Sequence, residues 1–198
     1  MITVACAIIS SAKRWALVRD QILPQCVREG FDEIVVAGDG EPGLGYQFID
    51  IPAITGTTID ALVKRDAATV ATESEYIAFF SDDHRPVPGF ATDLREYVQE
   101  HRVEVLIPHR VTWRATSDGF TRIDLNSGAS DGYCGGHAGV FHREAIRRYP
   151  WACGPHDLLW DLTHSRHLQQ LGVQFSYAPH IMVEDIEHFL NPEAQPWR

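Results

Sequence analysis

Apolar residues in the first half of the chain come in short runs separated by helical patterns. Residues 2–9 (ITVACAII) are apolar but for one threonine, which predicts a buried strand. Trp15, Leu17, Val18, Ile22 and Val27 follow as a stripe, predicting a helix over 14–28 with a kink at Pro24. Residues 33–37 (EIVVA) predict a second strand, ended by Gly38-Asp39-Gly40, and 47–51 a third, closed by Pro52. A helix is predicted over 57–71, with Thr57 or Thr58 as its cap. Residues 76–80 (YIAFF) predict a fourth strand that runs straight into Ser81-Asp82-Asp83-His84. Strands alternating with helices predict parallel βαβ units.

The pattern changes after Pro88. Residues 90–100 predict a helix and 103–108 a strand. The segments 111–114 and 120–124 flank Ser117-Asp118-Gly119, a hairpin signal. Residues 126–139 are rich in Gly and Ser and predict a loop, followed by a short strand at 138–141 and a short helix at 143–148. A long helix is predicted over 156–171, stopped by Gly172. Late strands are predicted at 173–177 and 181–183, with a loose tail at 191–198. There is no internal repeat and no clear linker, so one α/β domain with an open sheet over 1–198 is the simplest account.

Composition adds limits. The 198 residues carry a net charge of −10 and are 44% hydrophobic. A chain this long buries about 70% of its unfolded surface and needs no disulfides. Cys6, Cys26, Cys134 and Cys153 form no C-x-x-C pair, so free thiols are expected rather than a zinc site. No apolar run approaches the length of about 18 residues that a membrane span needs. The apolar start lacks a basic flank before it and is followed by Lys13 and Arg14, which is not a secretory order. The expectation is a cytoplasmic protein, and one too acidic to coat nucleic acid generally.

Ligands of open parallel sheets bind at the carboxyl ends of strands. Asp39 falls at such an end after the second strand, and Asp82 with Asp83 after the fourth. Adjacent carboxylates repel and need a partner to coexist. A divalent cation is one such partner, because Mg²⁺ or Mn²⁺ takes hard oxygen ligands and bridges to phosphates. A solvated acidic turn before Pro86 and Pro88 is the other account of the pair.

In order and spacing the chain resembles a family 2-type glycosyltransferase with the GT-A fold. Residues 75–83 (EYIAFFSDD) are similar to that family's strand and metal-binding acidic motif, with Ser81 where its first acid usually stands. Residues 8–14 (IISSAKR) resemble its opening strand and polar loop, 33–40 (EIVVAGDG) its second strand and acidic turn, and 64–68 (KRDAA) a helix near the nucleotide. Residues 135–145 (GGHAGVFHREA) resemble the segment beside the acceptor. Residues 160–172 (WDLTHSRHLQQLG) follow the spacing of its E-D-x-d-l-x-x-R-x-x-x-x-G motif, with Trp160 for the Glu and His167 for the Arg.

The resemblance implies a GT-A-like, Rossmann-type open mixed sheet flanked by helices, with 1–84 binding the nucleotide sugar and 85–190 the acceptor. It implies a nucleoside-diphosphate sugar as donor, with Ser10, Arg14, Asp39, Lys64, Arg65, Asp82, Gly135 and Gly136 around it. Asp83 would hold Mn²⁺ or Mg²⁺, with His188 or Asp185 as a further ligand. Asp161 would be the catalytic base, with Asp157 as the alternative four residues earlier. His84 could touch a phosphate or the acceptor. The acceptor stays open between a saccharide, a lipid-linked sugar, a protein and a modified nucleobase. The rival readings are a sugar nucleotidyltransferase, disfavoured because Ser10-Ser11-Ala12-Lys13-Arg14 has no glycine, and a non-catalytic nucleotide- or carbohydrate-binding module.

Overall fold

The computed structural model describes residues 1–54, 59–116, 119–125, 138–151 and 160–186. Within them, strands and helices form an α/β fold around one large, curled, mixed sheet. Its first block is parallel. It runs β3 (Gln47–Asp50), β2 (Glu33–Gly38), β1 (Val4–Ser10) and β4 (Tyr76–Ser81). The register aligns Ser10 with Gly38 and Ile9 with Ser81, so three strands end in one row. Beyond β4 lie β8 (Ala138–His142), β6 (Val105–Thr116), β9 (Phe175–Asp185) and β5 (His84–Pro86), with β7 (Gly119–Asp124) paired to β6. Strand β8 is antiparallel to both β4 and β6, so β6 and its parallel neighbour β9 run in the direction of β4.

Helices cover both faces, which is why β1 is apolar without alternation. Val4, Cys6 and Ile8 face one core with α2 (Leu23–Glu29) and α4 (Phe90–His101). Ala5 and Ala7 face the other, with α3 (Ile59–Ala71), α5 (Arg143–Arg148) and α6 (Trp160–Gln170). Cys6 and Cys26 are buried free thiols with their sulfurs 3.4 Å apart, and burial pushes the Cys6 thiol up. No helix among the described residues is long and apolar enough to cross a membrane.

The predicted elements agree in order and differ in detail. The first helix is composite: a 3₁₀ turn at Ala12–Arg14, the α-turn α1 (Trp15–Leu17), a π-turn at Val18–Ile22, then α2. Pro24 is the second residue of α2. The π-turn before it offers a local way to place a residue that lacks an N–H. The two strands predicted at 103–108 and 111–114 are one strand, β6, with an irregularity between Pro108 and His109. The two late strands are likewise one, β9. The segment after the acid pair is not a solvated turn into Pro86: it forms β5, paired antiparallel to β9. Thr57, Thr58, the start of the helix predicted at 156 and the tail at 191–198 lie outside the described residues.

Candidate functional site

A cleft of about 350 Å³ opens where β1 and β4 end and α3 begins; Ser10, Ser11, Arg14, Lys64, Asp82 and Asp83 line it. It occupies the carboxyl edge of the parallel block, where loops leaving adjacent strands diverge and leave space. A larger groove of about 530 Å³ lies at the opposite edge, beside Met1, Tyr76, Arg102 and His142, and none of the described candidate residues lines it.

Asp82 and Asp83 coexist because three side chains, Ser11, Arg14 and His84, compensate them. Ser11 donates its hydroxyl to Asp82. The Arg14 Nη1 lies 3.0 Å from Asp82 Oδ1 and 3.3 Å from Asp83 Oδ2, bridging the pair. His84 donates from Nδ1 to Asp83 Oδ1 at 2.5 Å, and its Nε2 is 3.8 Å from Asp185 Oδ2. Arg110 Nη2 lies 3.7 Å from that same Asp185 oxygen. His84 is 1% exposed, so it supports Asp83 from within, between that acid and Asp185. Backbone pairing fixes the arrangement further, because the Ile186 N–H donates to the Asp83 carbonyl at 2.9 Å.

Lys64 forms the other wall. It is 1% exposed and its Nζ donates to the Ser10 carbonyl at 3.0 Å, with Asp60 at 2.8 Å and Asp39 at 3.6 Å. A buried ammonium requires such partners. Asp39 lies behind Lys64 and does not itself line the cleft, and the Ser10 hydroxyl donates to its backbone carbonyl. Gly38 makes this approach possible. Its φ is +130°, and a Cβ there would overlap the Ser10 carbonyl oxygen and sit 3.0 Å from Lys64 Cε.

Arg65 does not line the cleft. Its guanidinium is buried over Phe79 at 4.9 Å and Trp151 at 5.1 Å. Trp151 in turn lies 4.4 Å from the ring of His164 on α6. Asp161 is half-buried one turn before His164, and its Oδ1 accepts from the Leu162 N–H at 2.8 Å. The path from α6 through Gly172 reaches the start of β9 at the edge opposite the cleft. Helix α6 spans 11 residues, about 16 Å at 1.5 Å per residue. Asp161 does not itself line the cleft around Asp83. Asp157, Gly135, Gly136 and His188 lie outside the described residues.

The His164 ring has its pKa lowered to about 4, chiefly by burial, with Arg65 and His167 adding repulsion. The folded chain keeps it neutral while the unfolded chain protonates it near pH 6.5, so stability is lost as pH falls from 6.5 toward 4. Between pH 7 and 4.5 the wild type should lose about 2–3 kcal/mol more unfolding free energy than His164→Phe, read by urea titration. Equal losses in the two proteins would show that His164 does not carry this pH dependence.

The donor set suits the cation that the resemblance implies. Asp82 and Asp83 present hard carboxylate oxygens on consecutive residues. The lining has three carboxylates (Asp60, Asp82, Asp83) against two cations (Arg14, Lys64), a deficit of positive charge that a diphosphate would deepen. Among the described residues no three His, Cys, Asp or Glu side chains gather around one point. Magnesium-type sites commonly use one or two carboxylates and take their other ligands from water and substrate phosphates. No protein-family model matches the chain, and no curated protein matches it.

Proposed function

We propose that the chain is a glycosyltransferase that moves a sugar from a nucleoside-diphosphate sugar to an acceptor hydroxyl, with inversion. The observation that carries this reading is the cleft itself. It gathers an adjacent carboxylate pair, a bridging arginine and a buried lysine at the carboxyl ends of parallel strands. That is the composition a metal-assisted diphosphate site needs, at the place where such sheets bind ligands. Asp82 and Asp83 would hold Mn²⁺ or Mg²⁺, which supplies positive charge to a departing diphosphate. His84, with Asp185 behind it, keeps Asp83 oriented.

Arg14 and Lys64 add positive charge where the leaving group gains negative charge. Asp39, which follows β2, would reach the base or ribose. Asp161, which lies outside the lining of the cleft, would take the proton of the acceptor hydroxyl as its oxygen attacks the anomeric carbon. The new carbon–oxygen bond forms as the bond to the diphosphate breaks, and the diphosphate leaves with the bonding electrons. One in-line displacement inverts the carbon.

The test is a panel of nucleotide sugars incubated with the protein and Mn²⁺, scored for release of nucleoside diphosphate with water as acceptor. Release from one donor that Asp83→Ala abolishes supports the reading. Nucleotide binding without any turnover, across donors and acceptors, would instead favour a binding module of similar shape.

A further inference from the structure

We propose that Arg14 changes partners as the donor binds: it is the counter-ion of the Asp82–Asp83 pair in the free protein, and it turns to the donor's diphosphate once a divalent cation sits on that pair. The inference rests on the glycosyltransferase reading and adds to it the way the site fills. One nitrogen, Nη1, lies within 3.3 Å of an oxygen of each aspartate, so Arg14 occupies one oxygen of each carboxylate on which the cation would draw. A guanidinium and a divalent ion repel each other and cannot share that place. A cation arriving alone must therefore displace Arg14. A diphosphate arriving alone meets three lining carboxylates against two cations.

Together the two ligands relieve each other. The cation takes the carboxylates, and the released guanidinium meets the phosphates, for which its planar fork is suited. Lys64 cannot make this exchange, being 1% exposed and held by Ser10 and Asp60. The Arg14 side chain is 28% exposed at the mouth of the same cleft. When Arg14 leaves, Asp82 keeps its bond from Ser11 and Asp83 its bond from His84, so the pair stays in place.

Binding of cation and nucleotide should then be coupled, each tightening the other by the same factor. Mn²⁺ titrations followed by electron paramagnetic resonance, alone and with UDP or GDP, test this on the wild type, Arg14→Gln and Arg14→Lys. For the wild type, the effective nucleotide should tighten Mn²⁺ about tenfold, within the usual range of coupling between sites. Arg14→Gln should bind Mn²⁺ alone about tenfold more tightly than wild type, with most of the coupling lost. Arg14→Lys keeps the charge and should bind Mn²⁺ alone as weakly as wild type.

Arg14→Gln binding Mn²⁺ no more tightly than wild type would overturn the exchange. If the wild type still turned over a nucleotide sugar, the function would stand without it. Tighter Mn²⁺ binding in Arg14→Gln, with neither nucleotide coupled in the wild type, would overturn the turn toward the diphosphate and leave only the counter-ion role. Absence of Mn²⁺ binding by all three proteins would sink both the exchange and the cation's place in the proposed function.

Discussion

Asp161→Asn should abolish sugar transfer while leaving the donor site intact. A positioned general base contributes about 10²–10⁴ in rate, and kcat should fall by that much. Nucleoside-diphosphate affinity should stay within about twofold, because the proposed donor contacts come from the 3₁₀ turn after β1, the residues that follow β2 and β4, and α3, rather than from α6. The amide keeps the shape of the carboxylate, and its oxygen can still accept from the Leu162 N–H, so the first turn of α6 survives. What it loses is the ability to take a proton. Parallel measurement of transfer and of nucleotide binding by calorimetry separates the two effects. Transfer at the wild-type rate would exclude Asp161 as the base and move the search to Asp157.

Gly38→Ala should be the most destabilising of the small substitutions near the cleft. Two costs combine there. A φ of +130° strains any residue with a Cβ, and that Cβ would run into the Ser10 carbonyl, which is backbone and moves only with β1. Each cost is of order 1–3 kcal/mol, so about 3–5 kcal/mol in all is expected. For a chain of this length that lowers the melting temperature by about 10 °C. Gly30→Ala is the control. Its φ is +70° but nothing lies within 4 Å of the added Cβ, so only conformational strain of about 1–2 kcal/mol remains. Equal melting temperatures for the two variants would mean that β1 and β2 can separate at their ends, and that the Lys64 bridge to Ser10 is not a rigid wall.

Much of the parallel block was legible in the chain itself. Buried parallel strands are unbroken apolar runs, and ITVACAII, EIVVA and YIAFF each end in a polar or Gly-rich break. The acid pair was legible for the same reason, because it follows the last of those runs. Side-chain direction was not. Lys64 and Arg65 are neighbours, but consecutive helical residues point about 100° apart. Lys64 meets the cleft, so Arg65 turns instead to Phe79 and Trp151. His84 was legible as a neighbour of the acids but not as the buried support of Asp83, because that role needs Asp185 from β9, a hundred residues later in the chain. Strand β5 was hidden by Pro86, which suits a three-residue strand at the end of the sheet's strand order but argues against a strand when read in isolation.

The stitching of β4 into the middle of the sheet bears on how fast the protein can assemble. Ser11 and Asp82 meet across 71 residues of chain, and β8 must then arrive from further along to close the other side of β4. Chain entropy is spent on these long closures before their hydrogen bonds return anything, which places the molecule among slow folders of high contact order. The cleft, built across these closures, is therefore expected to form only after β1 and β4 have paired.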